Sequence, residues 1–154
     1  MKLFYCDKWS SIRKKPWNIL DESSAKLHHS KRESYTAVYC EGDKPKYIVN
    51  LTDSWVSVSF LDELLRKYLH YDFEVQAGDD LFLKTVMFWE YEGETDVETD
   101  TLILGYQSNG HIVMEKRNLK TGEVEEREAV DDVAKNWEKY PDFGDYMSLC
   151  KEER

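Results

Sequence analysis

The chain has 154 residues, 41% hydrophobic and 14% aromatic, with seven glycines, three prolines and a net charge of −10. Disordered chains are poor in aromatics, and no stretch approaches the roughly 18 apolar residues of a membrane helix; disorder along the whole length and a spanning helix are both excluded. A single domain over 1–154 is expected, long enough to bury about two-thirds of its unfolded surface without disulfide staples.

The first residues, Met1 to Asp7, meet charge at once and lack the apolar run of a signal peptide. The cysteines are Cys6, Cys40 and Cys150. Their odd number, without zinc or redox spacing, predicts free thiols in a reducing cytoplasm. Leu3 to Cys6 reads as a first strand. Residues 7–33 hold Arg13-Lys14-Lys15 and Pro16, and read as loop with a short helix near Glu22–His29. Tyr35 to Cys40 is rich in β-formers. The turn cluster Gly42 to Pro45 and a paired strand, Lys46 to Leu51, come next. In Trp55 to Phe60, Val56, Val58 and Phe60 alternate with other residues, the pattern of a half-buried strand.

The period then changes. Leu61, Leu64, Leu65, Tyr68 and Leu69 fall on one helical face, with Asp62 and Glu63 early and Arg66 and Lys67 late. That pattern predicts the principal helix over 61–69, packed on a sheet. Residues 81–128 read as a four-stranded antiparallel meander, with Asn109-Gly110 as a tight hairpin turn and Lys120-Thr121-Gly122 as another break. Its third and fourth strands are polar and edge-like. Val130 to Glu138 reads as a short C-terminal helix, and the aromatic segment Pro141 to Tyr146 as packing down on the sheet. The expected fold is α+β: an antiparallel sheet of six to eight strands, one principal helix and a short C-terminal helix.

Phosphate-loop, dinucleotide and nucleophile-elbow patterns do not occur. The adjacent His28 and His29 point apart on either a helix or a strand, so they make no metal clamp. Cys6 and Cys40 lie in apolar runs, where cysteine behaves as a small hydrophobe. The acidic stretch lacks the residue order of a calcium-binding EF-hand loop. No catalytic, cofactor-binding or metal-ligating residue is nominated. Of the five tryptophans, Trp9 and Trp17 flank the basic run, within reach of cation–π contacts.

Charge carries the functional reading. Residues 1–50 hold ten Lys/Arg against six Asp/Glu; residues 51–154 hold eleven against twenty-five. The acidic sign argues against direct nucleic-acid binding by the later part. From Glu90 to Asp100 every even position is acidic: Glu90, Glu92, Glu94, Asp96, Glu98, Asp100. In an extended chain these six carboxylates share one face, about 6.6 Å apart. With Tyr91 they form a candidate dock for a basic protein surface; a solvated face bent at Gly93 is the plainer reading.

In general character (small, acidic, rich in Tyr and Trp, α+β, without catalytic motifs) the chain resembles bacterial immunity proteins of polymorphic toxin and contact-dependent growth-inhibition systems. No family motif is matched and no residue is carried over. The resemblance implies a cytoplasmic toxin inhibitor, not an enzyme, that binds a basic partner such as a toxin nuclease domain. The alternative is a small α+β enzyme or ligand-binding domain with a pocket between the sheet and helix 61–69.

Overall fold

The computed structural model describes residues 1–154. Its elements are β1 (Lys2–Ser10), β2 (Lys15–Leu20), α1 (Glu22–Lys31), β3 (Tyr35–Glu41), β4 (Lys44–Leu51), β5 (Trp55–Leu61), β6 (Lys67–Val75), β7 (Asp80–Tyr91), β8 (Glu98–Tyr106), β9 (His111–Asn118), β10 (Val124–Val130) and β11 (Trp137–Lys139). The strands form one antiparallel sheet in the order β10-β9-β8-β7-β6-β5-β4-β3-β1-β2, and β11 pairs with the start of β7, at Asp80–Phe82. From β3 to β10 every neighbour in sequence is a neighbour in the sheet. The strand count therefore exceeds the six to eight read from the sequence.

The period-two pattern of side chains gives the sheet two differently used faces. On one face lie Tyr35, Ala37, Tyr39, Tyr47, Val49, Leu51, Val56, Val58, Phe60, Leu69, Tyr71 and Phe73, all in the main core. Ala25 of α1 and Tyr146, Leu149 and Cys150 of the C-terminal segment close this face. The aromatic C-terminal segment thus packs down as expected. Tyr146 is fully buried, its hydroxyl 2.9 Å from that of Tyr35, and its backbone N–H donates to the Tyr39 hydroxyl. The opposite face carries a smaller cluster of Cys6, Val38, Cys40, Ile48 and Leu61, with Phe4, Trp9 and Leu65 against it.

Two expected helices are corrected. Residues 61–69 are the end of β5, a turn and the start of β6: Leu61 pairs with Lys67 and Phe60 with Leu69. Asp62 settles the competition. Its carboxylate accepts from the backbone N–H groups of Leu64 and Arg66, each at 2.9 Å, and from Arg66 Nε at 2.8 Å. A side chain that satisfies the turn's own amides favours a hairpin over a helix, as Asp does generally. Leu65 takes a left-handed φ of 59° in that turn. Leu61 and Leu65 then serve the smaller cluster, Leu69 and Tyr68 the main core, and Leu64 is exposed. The helical spacing is a coincidence of two faces.

The C-terminal helix is likewise absent. Val130 ends β10, and the chain continues through a 3-10 turn at Ala134–Asn136 into the short β11. The α-helix that forms, Glu22–Lys31, is capped by Asp21, whose side chain accepts from Ser24 N, and ends at Arg32 in the left-handed region. The hairpin at Asn109-Gly110 is present, closed by Gln107 N–H donating to His111 O at 2.9 Å, with positive φ at Gly110 alone.

Candidate functional site

Two features stand apart from the packed body: an acidic wing formed by the outer strands, and a groove beneath the folded-over β1–β2 hairpin.

β1 pairs with β3 only from Lys2 to Cys6; from there to Ser10 it pairs with β2 alone. Asp7 and Asn18 interrupt the ladder, Asn18 at φ 52°, and their side chains hydrogen-bond. The hairpin tip is thereby free to turn across the sheet. Trp9 packs on the smaller cluster, and Lys14 Nζ donates to Leu64 O at 3.1 Å and to Asp96 at 2.9 Å. In a flat sheet β1 and β7 would be about 24 Å apart, five strand spacings. Register shifts in the β3–β4, β5–β6, β6–β7 and β7–β8 pairs supply the curl that brings them together.

Between this arm and the β5–β6 and β7–β8 turns lies a groove of about 420 Å³. Trp9, Ile12 and Lys14 form one wall, and Lys67, Trp89 and Tyr91 are on the other. Arg66 is committed: it bonds Asp62 and the carbonyls of Gly93 and Thr95, and stacks 4.8 Å over Tyr91. Lys67 Nζ sits 4.8 Å over the Trp89 ring. Burial lowers its pKa, while Asp72 and Glu98 act the other way. Burial first, then Glu98, pushes the Tyr91 hydroxyl up to about 12, and that hydroxyl donates to Lys67 O.

On the same face Ser59, His70 and Asp72 are linked: Ser59 Oγ is 2.8 Å from His70 Nδ1, and His70 Nε2 is 2.9 Å from Asp72 Oδ1. With the carboxylate accepting, a neutral imidazole carries its proton on Nε2 and accepts from the serine through Nδ1. Ser59 is 8% exposed. Its strand is paired on both sides, so the backbone amides that could hold an oxyanion are already used. Thr36, Asn50 and Ser57 continue the hydrogen-bonded polar row across the sheet. This row satisfies its own polar groups.

The seven residues nominated from the sequence lie on the β7–β8 hairpin, but not as one extended row. Glu90 and Tyr91 end β7, Glu92 to Val97 make the turn, and Glu98 and Asp100 begin β8. Glu90 faces Asp100 across the ladder and Tyr91 faces Glu98. Gly93 at φ 54°, and Glu92 N–H donating to Val97 O, fix the reversal. Three of the seven are engaged internally: Glu92 with Lys120, Asp96 with Lys14, and Tyr91 as above. Glu90, Glu94, Glu98 and Asp100 make no ion pair in the protein.

The acidic surface extends further than the nominated row. Residues 90–132 hold thirteen Asp/Glu and four Lys/Arg, a net of −9 out of the chain's −10. Within that span Gly110 alone is buried, and every residue of β10 is exposed. The wing is attached through β8, where Leu104 and Tyr106 pack against the main core. The contribution of Glu115, Glu123, Glu125, Glu126, Glu128, Asp131 and Asp132 is visible in the sequence only as composition, because no period marks it. The groove could not be read at all, since its walls come from residues far apart in sequence. No protein-family model, curated protein or solved structure matches the chain.

Proposed function

We propose that this chain is a protein-binding module that holds a basic partner on its acidic wing. Its most concrete form is an immunity protein that blocks a cognate toxin, such as a nuclease, in the cytoplasm. The observation that carries the reading is the segregation of charge: the wing bears −9, and the remaining residues, with seventeen Lys/Arg and eighteen Asp/Glu, are near neutral. A fold that merely needed solubility would gain nothing from concentrating its charge on three strands that bring only Leu104 and Tyr106 to the main core. Like charges directly opposed on a ladder destabilise it. Glu90 facing Asp100, with neither ion-paired, is such a cost, and a cationic partner would remove it. Dense carboxylates also steer a basic protein into encounter. Three unpaired cysteines are in keeping with a reducing compartment.

The test uses a partner recovered by affinity capture, with association kinetics for the native chain and for a Glu90→Gln, Glu94→Gln, Asp100→Asn variant at two salt concentrations. Slower association of the variant at low salt, with the difference shrinking at high salt, is the expected result. Equal association rates at both salts would refute the reading.

The groove favours a second reading, a small-ligand or enzymatic domain. Its place differs from the expected one, because no helix forms at 61–69 and the face beneath α1 is filled by the main core. Trp9, Trp89 and Tyr91 offer the groove's walls to a flat apolar ligand, and Lys67 and Glu98 give it one charge of each sign. Quenching of tryptophan fluorescence by such ligands, lost in Trp89→Leu, would favour this reading.

A further inference from the structure

Apart from the three-residue β11 beside the start of β7, the sheet ends in two edge strands, β2 and β10, and they are defended differently. β2 contains Pro16 and the left-handed Asn18, and its ladder with β1 is interrupted. Proline and irregular pairing are standard protections of an edge. β10 has neither proline nor glycine, and its seven residues pair with β9 in unbroken register. A regular edge presents unpaired backbone groups to solvent, and the parity is fixed here. Asn118 N–H donates to Glu123 O and Asp131 N–H to Gly110 O. Antiparallel residues alternate between bonded and non-bonded pairs. Glu125, Arg127 and Ala129 therefore turn their N–H and C=O towards β9, and Val124, Glu126, Glu128 and Val130 turn theirs outward.

Those same four residues share one face of the strand. Val124 and Val130 are 47% and 80% exposed. Between them stand Glu126 and Glu128, with Glu115 directly across from Glu126. The other face offers Ala129 and the internally paired Glu125 and Arg127.

We infer that β10 is a strand-addition site for an extended segment of a basic partner whose alternate residues read apolar, basic, basic, apolar. Backbone bonding along the edge supplies affinity, and the valine–glutamate–glutamate–valine face supplies selectivity. A second copy of this chain is disfavoured as the occupant. Antiparallel pairing of two β10 strands about Arg127 would bring Glu126 of each against Glu128 of the other, and like charges opposed across a ladder repel. Lys or Arg at those positions makes the attractive cross-strand pair. The inference rests on the acidic-wing reading and adds to it a geometry and a sequence pattern.

The probe is a capped synthetic peptide, Thr-Val-Thr-Lys-Thr-Lys-Thr-Val-Thr, with two controls: Glu in place of both Lys, and N-methylation of the two Lys amides. Binding to the full chain is followed by NMR and amide hydrogen exchange. The Lys peptide is expected to bind and to protect the amides of Val124, Glu126, Glu128 and Val130, and the Glu peptide to fail. N-methylation should weaken binding by about tenfold or more, the worth of two typical hydrogen bonds. On the protein side, Glu128→Pro removes an amide that β9 does not use. It should weaken binding about fivefold beyond Glu128→Gln, which removes the charge alone. If the N-methylated and parent peptides bind equally, or protection falls elsewhere, strand addition is overturned and the charged wing stands. If Lys and Glu peptides behave alike, both readings fall. Protection of the four amides without peptide, rising with protein concentration, would make a second copy the occupant.

Discussion

Gly110 joins the wing's hairpin turn to the end of β10, and its replacement by alanine tests how that joint is built. Its φ of 94° lies in the region that L-residues avoid, which alone costs on the order of 1–2 kcal/mol. A Cβ there would also stand 2.6 Å from the backbone oxygen of Asp131. That neighbour is not a flexible side chain. Asp131 donates its own N–H to Gly110 O at 3.0 Å, so retreat of the carbonyl lengthens the bond that ends β10. Losing it adds about 1 kcal/mol. The total for Gly110→Ala is about 2–3 kcal/mol. Gly122 is the control: its φ is 76°, and a Cβ there meets nothing within 4 Å. Gly122→Ala should cost only the conformational part, about 1–2 kcal/mol. Urea unfolding gives both costs, and exchange of the Asp131 amide gives the local one. Equal costs for the two variants, with an unchanged Asp131 amide, would refute the argument that a backbone contact constrains position 110.

The β5–β6 turn and the thiols are tested in the same way. Asp62→Ala removes three hydrogen bonds and should cost about 2 kcal/mol in urea unfolding, with Asp62→Asn recovering part of it. Burial works to raise the Asp62 pKa, but bonds from the Arg66 backbone, the Arg66 side chain and the Leu64 backbone outweigh it, leaving the folded value depressed. A depressed carboxylate contributes stability that is full above its unfolded pKa, near 4, and is lost as pH falls through the lower folded value. The native and Asp62→Ala chains should therefore converge in stability in acid; a gap independent of pH would contradict the bonding. Burial, with Asp7, pushes the Cys6 thiol up to about 11, and burial pushes that of Cys150 up to about 12. Aromatic-disulfide titration should find almost no fast-reacting thiol in the native chain and three after denaturation; rapid native reaction would place a cysteine outside the core.

How far the sequence can be read depends on the range of the interactions. Tyr35–Glu41 announces itself by its β-formers and Trp55–Leu61 by alternation, both local signals, and the meander is legible because Asn109-Gly110 and Lys120-Thr121-Gly122 punctuate it. The helix expected at 61–69 shows the limit. Its leucines satisfy a helical spacing and are used instead by two opposite sheet faces, and Asp62 decides between them through bonds that no periodicity reveals. The acidic row shows another. Its period of two is real, but Gly93 reverses the chain within it, so carboxylates expected in file face each other across a hairpin. The groove depends on Lys14 meeting Asp96 across the curled sheet. Curl arises from four register shifts, none marked by a glycine or proline at the shifted residues except Pro45.

A body that holds the core and a wing that holds the charge should not open together. The free energy that keeps an amide closed reflects the apolar area lost when its unit opens. β3 to β6 carry most of the buried side chains, whereas between Glu90 and Asp132 only Gly110 is buried. The wing also repels itself, with −9 on residues 90–132. Bonded amides of β9 and β10, such as Met114, Lys116, Glu125 and Arg127, should exchange through a small opening. Those of Val49, Val58 and Tyr71 should exchange through global unfolding. Self-repulsion of exposed charges is screened over about 10 Å at 0.1 M salt and about 3 Å at 1 M. Raising salt across that range should increase wing protection factors severalfold relative to those of the body. Uniform protection across both regions, or a wing indifferent to salt, would show that the acidic strands are held by packing like the rest, and that their charge is not stored in a unit free to respond to a partner.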